Sequence, residues 1–311
     1  MVLEMKIVSR AYDSDEDFTS VVTFLHETFK KTNSCQNWFP DRFENSHRSG
    51  GNVQWVDDIR IWEDVNEVKR SRKGIVAVAN PESPFDYFIQ IDPTYSFLEQ
   101  EILEWIEKHC LERKKDPVKK QKLRIHTIDG NPARELLLAE LGYQKGEIAG
   151  YLRLRPVDLP IPDADYPERY EIRSIAGKSD YNQLTTVIRL VFGHGEWFNA
   201  EVYEEITRCS FYKQDLDLVA VAPDGTFASF CTFRMDPISR ITDLEPMGTH
   251  PNHRRLGLAK ALIFEGFKLA MKYNPTLFYI GGAANTLAAN RLYDSVGFTE
   301  KFVEHCWQKK L

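Results

Sequence analysis

Apolar positions along the chain repeat with two periods, and the order in which these alternate is the same in both halves. Ile7-Val8 reads as a short strand, and Phe18, Val21, Val22, Phe24, Leu25 and Phe29 recur at helical spacing up to about Lys31. The polar stretch Thr32–Asn52 holds Trp38, Phe39 and Phe43, and Pro40 splits it into helix and loop. Gly74–Ala79 is expected to be a buried strand stopped by Asn80-Pro81, and Phe85–Ile91 another ended by Asp92-Pro93. A helix over Ser96–Cys110 carries Leu98, Ile102, Leu103 and Ile106 on one face. A solvated lysine loop (Lys114–Lys122), the strand Leu123–Ile128, the helix Ala133–Leu141 capped by Gly142, and the strand Gly150–Arg155 complete the half.

Pro156, Pro160, Pro162 and Pro167, with acidic spacers, exclude helix and central strand. Residues 158–168 are therefore expected to link a domain at 1–157 to one at 169–311. Beyond the linker the order returns: strand Tyr170–Ser174, helix Tyr181–Phe192, helix Ala200–Cys209, and strands Asp217–Ala222, Phe227–Met235 and Ile241–Thr249. Helix Leu258–Tyr273, strand Leu277–Ile280, helix Leu287–Val296 and strand Lys301–Gln308 follow. Leu137–Tyr143 lines up with Leu292–Phe298, and Asp92-Pro93 with His250-Pro251. The expected fold class is α/β with a mixed sheet, as a tandem of one fold.

Composition narrows the function. With 42% hydrophobic and 28% charged residues among 311, the chain is an ordinary globular one. A net charge of −6 argues against nucleic acid or an anionic membrane as partner. The five cysteines form no C-x-x-C pair, so no zinc site or disulfide framework is indicated, and reduced thiols fit the cytoplasm. No signal peptide or apolar run long enough to span a membrane is visible.

The basic stretch Glu245–Lys260 stands out. It reads as a strand, a turn, a glycine-bearing loop and a helix start, with Arg254, Gly257 and Ala259 in R-x-x-G-x-A spacing. First-turn amides lack intrahelical partners and the helix dipole favours negative charge, which suits a phosphate or pyrophosphate. The matching positions of the first half are Ser96, Glu99 and Glu101, two carboxylates and no glycine, which would repel an anion and block its approach. His250 and His253 read as turn residues, and no metal site follows from them.

The second half resembles the GNAT superfamily of N-acetyltransferases, and the whole chain resembles a tandem member whose first copy is degenerate. Arg254–Ala259 matches the family's Q/R-x-x-G-x-G/A signature, Ala289–Tyr293 with Gly297-Phe298 matches A-x-x-L-Y-x-x-x-G-F, and the element order agrees. The resemblance implies acetyl-CoA, or another acyl-CoA, bound between two parallel strands that splay apart, here Ile241–Thr249 and Leu277–Ile280. Met247 and Thr249 would bond the pantetheine, Gly248 would allow close approach, and the amides of Arg255, Leu256, Gly257, Leu258, Ala259 and Lys260, with Arg254, would hold the pyrophosphate. The family's usual Asn is Thr286 here, which leaves Asn285, Thr286 or Asn290 as the coenzyme's amide partner.

The implied chemistry is direct acyl transfer to a primary amine of a small molecule or peptide. Tyr293 would protonate the leaving sulfur, and the first half has Leu138 in its place. Glu245 would act as base, with Asp243 on the same strand, unless Arg234 or Arg240 neutralises it. Glu196, Trp197 and Phe198 would line the acceptor pocket or else plug the core edge. A non-catalytic acyl-CoA sensor is the alternative. A nucleotide-phosphate site is disfavoured, since no G-x-x-x-x-G-K-[ST] occurs.

Overall fold

In the computed structural model, residues 6–13, 15–48, 56–66, 74–114, 121–283 and 286–311 are described. The chain divides into two compact units, each treated by itself.

The first unit comprises residues 1–47, 52–150 and 302–311. Its elements are β1 (Ile7–Ala11), α1 (Asp15–Thr32), α2 (Pro40–Arg48), β2 (Arg60–Asp64), β3 (Ile75–Ser83), β4 (Asp86–Ile91), α3 (Glu99–Glu112), β5 (Lys122–Ile128), α4 (Pro132–Glu140) and the first part of β6 (Gln144–Arg155). Strands β1 to β4 form an antiparallel run, and β4 meets β5 in parallel. The final strand of the sequence, β12 (Glu300–Lys310), lies antiparallel against β5, from Glu304 opposite Ile128 to Lys310 opposite Lys122.

The second unit is built on 151–301 and holds β7 (Glu171–Ser174), α5 (Lys178–Phe192), α6 (Ala200–Ile206), β8 (Asp217–Val221), β9 (Phe227–Met235), β10 (Ile241–Thr249), α7 (Leu258–Ala270), β11 (Leu277–Ala283) and α8 (Leu287–Ser295). Strands β7 to β10 are antiparallel neighbours, β10 meets β11 in parallel, and residues 151–155 of β6 close the sheet against β11. Every residue of β9 is buried, because both faces of the strand are covered. Cys231 and Phe233 pack with Leu262 and Phe267 of α7, while Phe227 and Phe230 pack with Leu184 and Ile188 of α5. Each such large apolar side chain contributes about 1.5–3 kcal/mol on burial.

The expected boundaries at 157 and 169 differ from the compact units. Residues 151–157 go with the second unit and 302–311 with the first. Strand periodicity reports which residues alternate, not which neighbour a strand pairs with, so an exchange of closing strands leaves no local signature. Strand β2 was not expected, since charged residues interrupt its apolar positions; Ile61 and Trp62 are nonetheless fully buried. Strand β3 runs past Asn80-Pro81 to Ser83. Its ladder with β2 ends at Ala79, so Pro81 lies where no partner needs its missing N–H.

Candidate active site

In the second unit, β10 and β11 pair only at Ile241–Leu277, Thr242–Phe278 and Asp243–Tyr279. Beyond Asp243 they share no ladder, and the cause lies on the opposite edge of β10. Between Leu244 and Met247 the register against β9 shifts by one residue, at the Glu245-Pro246 step, which is cis. A bulge bends the strand that carries it. The N–H of His250 donates to the Ala228 carbonyl at 2.9 Å, which fixes the phase of the β9 ladder. Backbone groups alternate in direction along a strand, so those of Thr249 and Met247 point away from β9, into the opening.

At the mouth of this V the chain turns through Arg255 and Gly257, at φ +64° and +80°. Helix α7 then starts with no side-chain cap, whereas Asn199 and Thr286 cap α6 and α8. The amides of its first turn are therefore open to an anion. Arg254 Nε donates to the Thr249 carbonyl at 3.3 Å, and Lys260 lies with its ammonium 5.5 Å from the Phe264 ring centre. The side chains of Leu256 and Leu258 pack into the core, leaving only their amides for a ligand. Gly257 has a further constraint: a Cβ there would sit 2.4 Å from the Asp165 carbonyl.

Gly248 is also constrained by packing. A Cβ would lie 2.4 Å from the Phe230 ring and 2.8 Å from Val191 at the end of α5, so the missing side chain admits that packing. Ser229 donates to the Gly248 carbonyl at 2.7 Å and meets the Thr249 hydroxyl at 2.9 Å. Met247 is partly buried against the core.

Tyr293, on α8, is nine-tenths buried, and its hydroxyl makes no hydrogen bond among the described residues. Burial raises its pKa, and the nearby Cys231, Glu245 and Asp243 push it further in the same direction. The phenol therefore stays protonated at neutral pH. Glu245 is half exposed, and Arg234 Nη1, its closest cation among the described residues, is 3.9 Å away, beyond hydrogen-bonding distance. Asp243 is buried.

The fully buried Arg153 of β6 holds Tyr293's helix. It donates to Asp294 Oδ1 at 2.7 Å, to the Phe298 carbonyl at 3.1 Å and to Asn290 Oδ1, and its guanidinium lies 5.8 Å from the Tyr293 ring centre. That bond occupies one face of Asn290, an expected cofactor residue. Thr286 is spent on capping α8 through Ala289 N–H, and Asn285 lies outside the described residues. Arg153 escaped the sequence reading because Leu152-Arg153-Leu154-Arg155 alternates like a half-exposed strand; all four are buried.

The loop after α5 carries Glu196, Trp197 and Phe198. Trp197 is 59% exposed, and Phe198 packs toward Tyr203 at 6.4 Å between ring centres. Glu196 is almost fully exposed and lies 3.4 Å from Arg189.

The first unit has the same V with different contents. Strands β4 and β5 pair only at Asp86–Arg124 and Tyr87–Ile125. Here Asn37 Nδ2 donates to the Ile91 carbonyl at 3.0 Å, and the Ile91 N–H donates to Asn37 Oδ1 at 2.9 Å. Gln36 Nε2 donates to the Asp129 carbonyl, just beyond β5, at 3.2 Å. Ile91 is two residues before Pro93, as Thr249 is before Pro251. Glu99 is buried in a two-bond pair with Arg134, and Glu101 accepts from the Trp62 indole, so both carboxylates are built into the packing.

Residues 188–298 match the family model described as Acetyltransferase (GNAT) family. They form a GNAT acetyltransferase domain. No curated protein matches the chain. Among solved structures, the chain is similar to a GCN5-related N-acetyltransferase from Sphaerobacter thermophilus, with TM-score 0.68, 16% identity, and coverage of 98% of this chain and 95% of that one. A tandem GNAT protein from the clavulanic acid biosynthesis pathway gives TM-score 0.63 at 12% identity, covering 99% of this chain and 98% of that one. Saccharomyces cerevisiae N-myristoyltransferase, solved with bound myristoyl-CoA, gives 0.57 at 12% identity, covering 99% and 80%. These likenesses establish the fold as that of tandem GNAT proteins. The GNAT domain supports acyl transfer as the class of reaction, and members of that family use acyl-CoA. Among the described residues, no helix is long and apolar enough to cross a membrane.

Proposed function

We propose that the GNAT domain is an acetyl-CoA-dependent N-acetyltransferase acting on a primary amine of a small molecule or peptide. The observation that carries this is the open edge of β10 beside the uncapped start of α7, with an unbonded tyrosine hydroxyl held nearby in the core. The fit to acyl-CoA is good on both counts: the Met247 and Thr249 backbone groups have no ladder on the β11 side, and the α7 amides have no cap.

Acetyl-CoA supplies an activated acetyl thioester. Thr249 and Met247 hold the extended arm by backbone hydrogen bonds, and the amides from Arg255 to Lys260 hold the pyrophosphate. A backbone N–H on the open edge of β10 polarises the carbonyl. Glu245 accepts the proton of the incoming ammonium, directly or through water, since no cation among the described residues is hydrogen-bonded to its carboxylate. Tyr293, kept as the phenol by burial and neighbouring carboxylates, returns a proton to the sulfur. The ammonium gives up two protons, one through Glu245 to solvent and one that restores the Tyr293 phenol; one C–N bond forms, one C–S bond breaks, and the sulfur departs as the thiol with the phenol's proton. Trp197 and Phe198, on the loop after α5, face the acceptor, and Glu196 attracts its ammonium.

The first unit, in this reading, takes no acyl-CoA: Asn37 and Gln36 bond the edges that a pantetheine arm would use. The test is free-thiol release from acetyl-CoA with a panel of amines. Release only when an amine is present supports transfer; tight binding of acetyl-CoA without turnover for any amine favours a sensing role instead.

A further inference from the structure

Three strands of the first unit bring together Asp86 on β4, His126 on β5 and Cys306 on β12, each offering a ligand atom within 4.8 Å of the others. His126 and Cys306 are direct cross-strand partners, and Asp86 Oδ1 lies 3.5 Å from His126 Nε2. We propose that this cluster is a binding site for a divalent transition metal of the zinc type, which clasps β12 to β4 and β5.

The donor set selects the ion. One thiolate, one imidazole and one carboxylate form a mixed set that suits zinc or cobalt(II), whereas magnesium and calcium need oxygen ligands. The observed nitrogen–oxygen separation is close to the edge of a tetrahedron with metal–ligand bonds of about 2.0–2.3 Å. The surroundings orient each donor. Glu304 Oε1 lies 2.9 Å from His126 Nδ1, the carboxylate–histidine arrangement that turns the other ring nitrogen toward a metal. Phe88 stacks on the imidazole with ring centres 4.6 Å apart. Ser83 and Arg124, at 2.5 and 3.1 Å, both occupy Asp86 Oδ2, leaving Oδ1 on the side of His126. Gln308 Nε2 stands 4.0 Å from the Cys306 sulfur. The three donors are far apart in sequence and on different strands, so no spacing motif announces them.

The competing description is a purely ionic cluster, with a charged imidazole between Asp86 and Glu304 and Cys306 as a bystander. Cobalt(II) distinguishes the two. Full-length protein is stripped with a chelator and titrated with cobalt(II), while thiolate-to-cobalt charge-transfer absorption and tetrahedral d–d bands are followed. One equivalent is expected, displaced by zinc. The charge-transfer band is expected to vanish in Cys306→Ser, and affinity to fall in His126→Gln. Glu304→Gln is expected to weaken binding by about 10- to 100-fold, because it removes the imidazole's orienting partner. Zinc should raise the Tm of the natural protein and leave that of Cys306→Ser unmoved. A natural protein that shows no such band overturns the proposal, whatever the variants do. A band that persists in Cys306→Ser assigns the metal to another cysteine and overturns it equally.

Discussion

The side-chain amide of Asn37 hydrogen-bonds both backbone groups of Ile91, accepting at 2.9 Å and donating at 3.0 Å. It thus completes the open edge of β4 within its own unit, where the matching edge of β10, at Thr249, has no ladder partner. Two units with one strand order therefore differ in what satisfies the splayed edge. Asn37→Asp tests this without creating a cavity: the acceptor to Ile91 N–H remains, but a carboxylate then faces the Ile91 carbonyl. The expected loss is about 1–3 kcal/mol of stability, read by urea unfolding. An unchanged midpoint would show that the amide does not close that edge.

Tyr293→Phe removes a hydroxyl that makes no hydrogen bond among the described residues, so the fold should be undisturbed. If the phenol protonates the leaving thiol, kcat falls by about 100- to 10,000-fold with little change in KM for acetyl-CoA. Steady-state kinetics with a reactive amine measure both. A kcat within a few-fold of the natural enzyme assigns the proton to another group.

Arg153→Met keeps the length and apolar stem of the side chain while abandoning three oxygen acceptors on and after α8. The Phe298 carbonyl is left without this partner in the interior, so the expected cost is roughly 2–4 kcal/mol. Because α8 carries Tyr293, kcat should fall as well. Arg153→Lys, which keeps the charge, should recover part of the stability.

His47 supplies a pH signature. It is buried with Nδ1 bonded to the Phe43 carbonyl at 2.7 Å and its ring stacked on Phe43. Burial lowers its pKa from 6.5 to about 4, against a smaller upward pull from the Phe43 carbonyl and Glu82. The unfolded chain then binds a proton between those two values that the folded chain refuses, so stability falls as pH drops from 6.5 toward 4. The contribution lost by pH 4.5 is about 2–3 kcal/mol. His47→Gln, which still offers a donor to Phe43, should show a correspondingly smaller loss between pH 7 and 4.5 in urea unfolding.

The element order of the second unit was legible because each segment's period is a local property: α5 and α7 show one apolar face, and β9 a short run without breaks. The R-x-x-G-x-A loop was legible because its glycine marks a backbone turn, and Gly257 has the positive φ that such a turn requires. What stayed hidden depends on distant neighbours. Burial of Glu99 needs Arg134, Asn37 acts only through Ile91, and β12 pairs with β5 rather than with the strands preceding it in sequence. Packing around Gly248 was hidden for the same reason: a Cβ there would meet Val191 and Phe230, which only the fold brings together.

On the proposed function, only the V of the second unit takes acyl-CoA. Calorimetric titration of the full-length chain with acetyl-CoA measures this directly. One equivalent per chain is expected, with affinity reduced by Arg254→Ala and Lys260→Ala together and untouched by Asn37→Asp. Two equivalents, or one that Asn37→Asp abolishes while the paired Arg254 and Lys260 changes leave it intact, would contradict it.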